Sequence, residues 1–197
     1  MVHAPQKVTK ELSEKQLEEL KDLAQKVNHL FQSGKHEQTF DLLQKILHLQ
    51  PHNDSAHHMM AEAYYYTDDI NQAISTAQQA LEINPQNFLC HRLMGIIYET
   101  RKDIDLAVDH YLQALKINPN MPLVQKNLAT IFFKKQDWAR GISCVTNAVL
   151  LAPHNLEYKQ LAVSSLGSFE LSKFQPRIKQ VIQLCLEEDD LTHRFLE

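Results

Sequence analysis

Four prolines, Pro51, Pro85, Pro119 and Pro153, stand 34 residues apart along the chain. A strict period of this length means that one supersecondary unit is copied, because each copy buries its apolar face only against its neighbours. Proline lacks a backbone N–H and fixes its φ angle, so these positions read as places where one helix has ended and the next has not begun. Other positions keep the same step. Small residues recur as Ala61, Gly95 and Ala129, as Ala73, Ala107 and Gly141, and as Ala80, Ala114 and Ala148, where helix backbones are expected to approach closely. Met60, Met94 and Leu128, then Tyr64, Tyr98 and Phe132, then Leu43, Ala77, Tyr111 and Val145, read as the side chains that fill the core between them. Asp69, Asp103 and Asp137 are residues that accept hydrogen bonds from the orphan N–H groups opening a second helix, and Asn53, Asn87 and Asn155 do the same for the first helix of the next unit. Each unit reads as helix, turn, helix.

Period, small positions, core positions and proline together resemble the tetratricopeptide-repeat family over about two-thirds of the chain, with units at 20–53, 54–87, 88–121 and 122–155. There are departures. The tryptophan that the family pattern allows at its fourth position is replaced by Leu23, His57, His91 and Gln125, and the first unit has Val27, Thr39 and Ile46 where small residues are expected. The resemblance implies an all-α fold, a right-handed superhelix or αα solenoid of about four repeats with extra capping helices. The spacing predicts a first helix starting near Ser13, which with Gln16 forms a capping-box pattern, after a flexible N-terminus at 1–12. Residues 156–197 read as capping helices: Leu156, Leu161, Ala162 and Leu166 keep helical spacing, Gly167 breaks it, and Ile178, Val181, Ile182 and Cys185 follow Pro176 on one face. The acidic run Glu187 to Asp190 then opens an element that stops within two turns, so the chain reads as a fragment of a longer polypeptide. Residues 174–197 also resemble the connector that joins such repeats to a methyltransferase domain in some bacterial proteins.

Composition narrows the partners. Twenty Lys and Arg against 24 Asp and Glu, for a net charge of −4, provide no basic field for nucleic acid or anionic lipid. No run of roughly eighteen apolar residues occurs, so no membrane insertion is expected. Cys90, Cys144 and Cys185 are odd in number, far apart and set in apolar helical contexts, which reads as a reducing, cytoplasmic setting without disulfides. His57 with His58, and His48 with His52, lack the glutamate and third ligand of a zinc motif, and no phosphate-cradling loop or nucleophile elbow is present. No metal, no cofactor and no catalytic residue is therefore expected, and carboxylate pairs such as Asp68 with Asp69 read as caps. Trp138, which follows the Asp137 cap, is expected in the core as an anchor of the inter-helix turn, as Ile70 and Ile104 are at theirs.

The family resemblance implies that the first helix of each unit lines a groove. From the second unit this places His58, Met59, Glu62, Tyr65 and Tyr66 on that surface. The third adds Leu89, Arg92, Leu93, Ile96 and Glu99, and the fourth adds Lys126, Asn127, Thr130, Phe133 and Lys134. Apolar side chains grouped on one face mark a covered surface, whose expected occupant is a peptide or amphipathic helix with Arg92 and Lys126 orienting an acidic group, or else a terminal helix of the chain itself. The two-carboxylate clamp that the family uses for chaperone tails is absent, since its positions read Ala24, Asn28, Met59, Leu89 and Leu93. The expected function is a non-catalytic protein-interaction module. Two other readings stay open, a recruiting or assembly arm of a larger enzyme such as a methyltransferase, and a homodimer formed through the terminal helices.

Overall fold

The computed structural model describes residues 12–166 together with Ile178, Lys179, Val181 and Cys185. The expectations for residues 1–11, Ile182, the acidic run at 187–190 and the connector-like segment at 174–197 fall, apart from those four residues, outside the described ones. Among the described residues the chain is helix and turn, with no strand. In order come α1 (Glu14–Gln32), a 3-10 turn (His36–Thr39), α2 (Phe40–Leu49), α3 (Asp54–Tyr66), α4 (Ile70–Ile83), α5 (Phe88–Thr100), α6 (Ile104–Ile117), α7 (Pro122–Lys134), α8 (Trp138–Leu151) and α9 (Leu156–Leu166). Helices α3, α5, α7 and α9 start 34 residues apart.

One backbone device repeats at the turns that follow α1, α3, α5 and α7. Gly34, Asp68, Lys102 and Gln136, again 34 apart, all adopt positive φ, between 59° and 68°. At each, the N–H bonds back to the carbonyl three residues earlier, and the following N–H reaches the carbonyl five residues earlier, as Lys102 to Glu99 and Asp103 to Tyr98 do. This is the Schellman closure of a helix. It turns the chain within two residues and delivers residue 69, 103 or 137 to the start of the next helix. Asp69 and Asp137 then accept from the backbone N–H of Gln72 and Arg140, whereas Asp103 makes no side-chain cap and instead pairs with Arg101 at 3.4 Å. The first turn has Lys35 where the others have aspartate, and there the second helix opens as the 3-10 turn before settling into α2.

The starts of the first helices are capped as the sequence suggests. Ser13 and Gln16 form both halves of a capping box, and the Oδ1 atoms of Asn53, Asn87 and Asn155 accept from the N–H groups of Ala56, Cys90 and Tyr158. Met121 stands in the same place before α7 without a cap, and Pro122 at the first helical position removes one donor that would need one.

The chain divides into two compact units, Met1–Cys90 and His91–Glu197, each with its own apolar packing. In the first, Leu23, Val27, Leu43, Ile46, Ala56 and Met60 form one cluster from α1, α2 and α3. Asp54, in the first turn of α3, accepts from the side-chain amides of Asn84 at 2.9 Å and Asn87 at 2.8 Å, tying the start of the α3–α4 pair to its exit. In the second, Ala129, Val145, Ala148, Val149, Tyr158, Ala162 and Val163 are joined by Val181 and Cys185, and the Cys185 thiol lies 3.9 Å from the Lys159 carbonyl. The small positions explain how the helices come so near. A Cβ on Gly95 would lie 2.4 Å from the fully buried Tyr111 ring, and one on Gly141 would lie 2.4 Å from the Phe133 ring.

A histidine pair sits in the second unit, with His91 Nδ1 3.1 Å from His110 Nδ1 and the Tyr98 ring stacked on His110. Such a contact needs one neutral ring to accept from the other. Burial first, and His91 second, pull His110 below the ordinary histidine range, while Asp109 pushes it back up. Because the folded form resists protonation and the unfolded chain does not, this contribution is intact above the ordinary value near 6.5 and is lost as pH falls through the lowered one. The melting temperature is therefore expected to drop on acidification from neutrality, and His110→Phe, which keeps a ring against Tyr98, is expected to flatten that slope. Identical slopes in the two proteins would contradict it.

Candidate functional site

The predicted surface residues separate into three groups. Leu93 and His58, expected on the open face, are instead buried at 1% and 5% exposure, and Met59 packs against the first unit's core. Tyr66 lies at the turn, stacked on His36 with ring centroids 4.3 Å apart and edge-on to Tyr65 at 5.5 Å, while Glu62 is half-buried. Leu89 is exposed, and Arg92 and Ile96 are half-buried. A recess of about 360 Å³ in the first unit, lined by Asp22, Gln25, Lys26, His29, Leu30 and Leu42, contains none of the predicted residues.

A second group is locked together from below. The buried Tyr111 on α6 donates its hydroxyl to the Glu99 carboxylate at 2.8 Å and accepts from the Asn127 side-chain amide at 3.1 Å. The phenol tip therefore holds one residue of α5 and one of α7 in fixed orientation, and the missing Cβ of Gly95 makes room for its ring. Phe133 is not a free groove residue either, since its ring fills the space above Gly141 and meets Trp138 with centroids 5.7 Å apart. Trp138, expected in the core, is 46% exposed. The wide Phe133 ring already occupies the space beside Gly141 and so keeps the indole at the surface.

The third group lines open space in the second unit. Lys126 and Thr130 of α7 face Glu157, Gln160, Leu161 and Ser164 of α9 across a recess of about 470 Å³. Lys126 Nζ and Glu157 Oε1 are 3.1 Å apart, the lysine being 22% exposed and the glutamate 66%, so the ion pair closes one side of the recess without filling it. Thr130 Oγ1 donates to the Lys126 carbonyl, so its proton is taken while the oxygen keeps the capacity to accept. The α9 contributors were missed by sequence reasoning, which took 156–166 only as a cap. The signal was present, because Gln160, Leu161 and Ser164 lie 34 residues beyond Lys126, Asn127 and Thr130. Glu99 and Lys134 belong to a further recess at the inter-helix turns.

This arrangement can bind, by shape, amide hydrogen bonds and one ion pair. Cys90 and Cys144 are pushed up to about 12 and about 11, chiefly by burial, so neither presents a thiolate at neutral pH. Among the described residues no three His, Cys, Asp or Glu side chains gather as a metal ion requires, and no helix is long and apolar enough to cross a membrane.

Two family models, both described as tetratricopeptide repeat, match the sequence over residues 30–97 and 93–121. No curated protein matches it. Among solved structures, MamA 41-end from Desulfovibrio magneticus RS-1 superposes with a TM-score of 0.64 at 16% identity, covering 87% of this chain and 97% of that one. YrrB, described as a TPR protein with an unusual peptide-binding site, gives 0.60 at 13% identity, covering 86% of each chain. A chain of the Naa15/Naa10 complex bound to HypK-THB gives 0.59 at 18% identity, covering 89% of this chain and 30% of that one. At these identities the likeness is one of fold.

Proposed function

We propose that this chain, which carries tetratricopeptide repeats over residues 30–121, is a non-catalytic protein-interaction module that binds a peptide or helix of a partner protein on the face shared by α7 and α9. The observation that carries the reading is the open recess between those two helices, with polar groups of both signs at its rim and Leu161 within it. A groove with apolar surface and a few convergent polar groups is what helix-in-groove and extended-peptide recognition use. Cytoplasmic placement belongs to the same proposal, supported by three cysteines without disulfides, of which Cys90 and Cys185 are buried.

Thr130→Arg and Gln160→Arg fill the recess from two helices without touching the buried core. Partners captured from the native source by the wild-type chain are expected to be lost from both variants, with melting temperature within about a degree of wild type, as surface substitutions usually leave it. Capture of the same proteins by wild type and by both variants would refute the assignment of this face.

A further inference from the structure

A second opening in the same unit lies at the turns, where α5 gives way to α6 and α7 to α8. It has a volume of about 380 Å³; Ile104 and Ile131 supply its apolar surface, Thr100 a hydroxyl, and Lys102, Lys134 and Lys135 its cations against the single carboxylate of Glu99. Ile131 is almost fully buried, so the floor is a fixed apolar surface. Glu99 is already engaged by the Tyr111 hydroxyl, and Lys135 pairs with Asp105, whose carboxyl it pulls below the ordinary range. Lys102 and Lys134 pair with no acid among the described residues. Lys102 is also the residue with positive φ at its turn, a position where glycine is the unstrained choice. On a chain of net charge −4, this is a local excess of positive charge around an apolar floor.

We propose that this recess receives an acidic, extended segment of a protein partner, with an aliphatic side chain on Ile104 and Ile131 and a carboxylate between Lys102 and Lys134. The proposal rests on the interaction-module reading and adds to it the chemistry of the partner. Charge complementarity selects the occupant. A broad polyanion such as a nucleic acid or an anionic bilayer fits less well, because Asp103 and Asp105 already hold Arg101 and Lys135, and the two lysines that are left make no extended basic field. A carboxylate carried on one peptide needs only the two lysines.

The probe is a short fluorescein-labelled peptide alternating leucine with glutamate, its leucine–glutamine counterpart, and vesicles rich in phosphatidylserine, each titrated against the full chain. The glutamate peptide is expected to bind at least roughly tenfold more tightly than the glutamine one, to weaken with added salt, and to lose that advantage in the Lys102→Glu, Lys134→Glu double variant. Thr130→Arg is expected to leave this binding unchanged. Equal binding of the two peptides overturns the proposal, as does lysine-dependent capture of vesicles in place of peptide. Binding of the glutamate peptide that survives lysine reversal but fails in Thr130→Arg also overturns it, while leaving the α7–α9 reading standing. Failure of the module reading itself shows separately, in the partner capture described above.

Discussion

Tyr111→Ala is expected to destabilise the second unit by about 3–5 kcal/mol in urea denaturation, the range for removing a buried aromatic side chain. The side chain is fully buried, and its hydroxyl joins Glu99 to Asn127, so truncation leaves both a cavity and two polar groups without their shared partner. Gly95 sharpens the prediction. Gly95→Ala alone places a methyl 2.4 Å from the Tyr111 ring, which is held by burial and by two hydrogen bonds and cannot swing aside. The strain is expected to cost about 1–3 kcal/mol, more than the ~1 kcal/mol that alanine contributes to helix propensity. In the Tyr111→Ala background the same substitution meets empty space and is expected to stabilise. A double-mutant cycle therefore predicts a change of sign for Gly95→Ala, and additive effects would contradict the close contact.

Asp54→Ala is the second large effect, expected at about 2–4 kcal/mol in the first unit. Each of the two amide hydrogen bonds to its carboxylate is of the charged type, for which about 1.5–3 kcal/mol is usual, and Asn87 is buried enough that its amide finds no ready substitute in water. The first-turn position of Asp54 adds a smaller favourable interaction with the α3 dipole. Asp54→Asn keeps the shape and one acceptor and is expected to lose less. If alanine and asparagine cost the same, the loss comes from the charge at the helix start and not from the two asparagine bonds.

Much of the fold was legible because its constraints are periodic. Prolines, small residues and caps repeat at one step, and each reports a backbone requirement that does not depend on distant parts of the chain. The positive-φ turns went unread: only the first carries a glycine, Gly34, and Asp68, Lys102 and Gln136 tolerate the same conformation without announcing it. The site was less legible. Along a helix, neighbouring positions differ by about 100°, so a small rotation of α5 decides whether Leu93 faces solvent or its neighbours, and packing alone sets that rotation. The phenol of Tyr111 shows a second limit: its position marked it as core, but nothing in the sequence says that its polar tip emerges between Glu99 and Asn127. The α9 residues were within reach of the repeat arithmetic and required only that the period be carried one unit further.

The most direct test of the account is backbone amide NMR of the chain titrated with the partner segment that it captures. Shifts confined to Lys126, Thr130, Glu157, Gln160, Leu161 and Ser164, with the turns at Lys102 and Lys134 joining when the segment is acidic, are the predicted result. Shifts that leave α7 and α9 untouched and fall on the exposed side of α6 or α8 would contradict it.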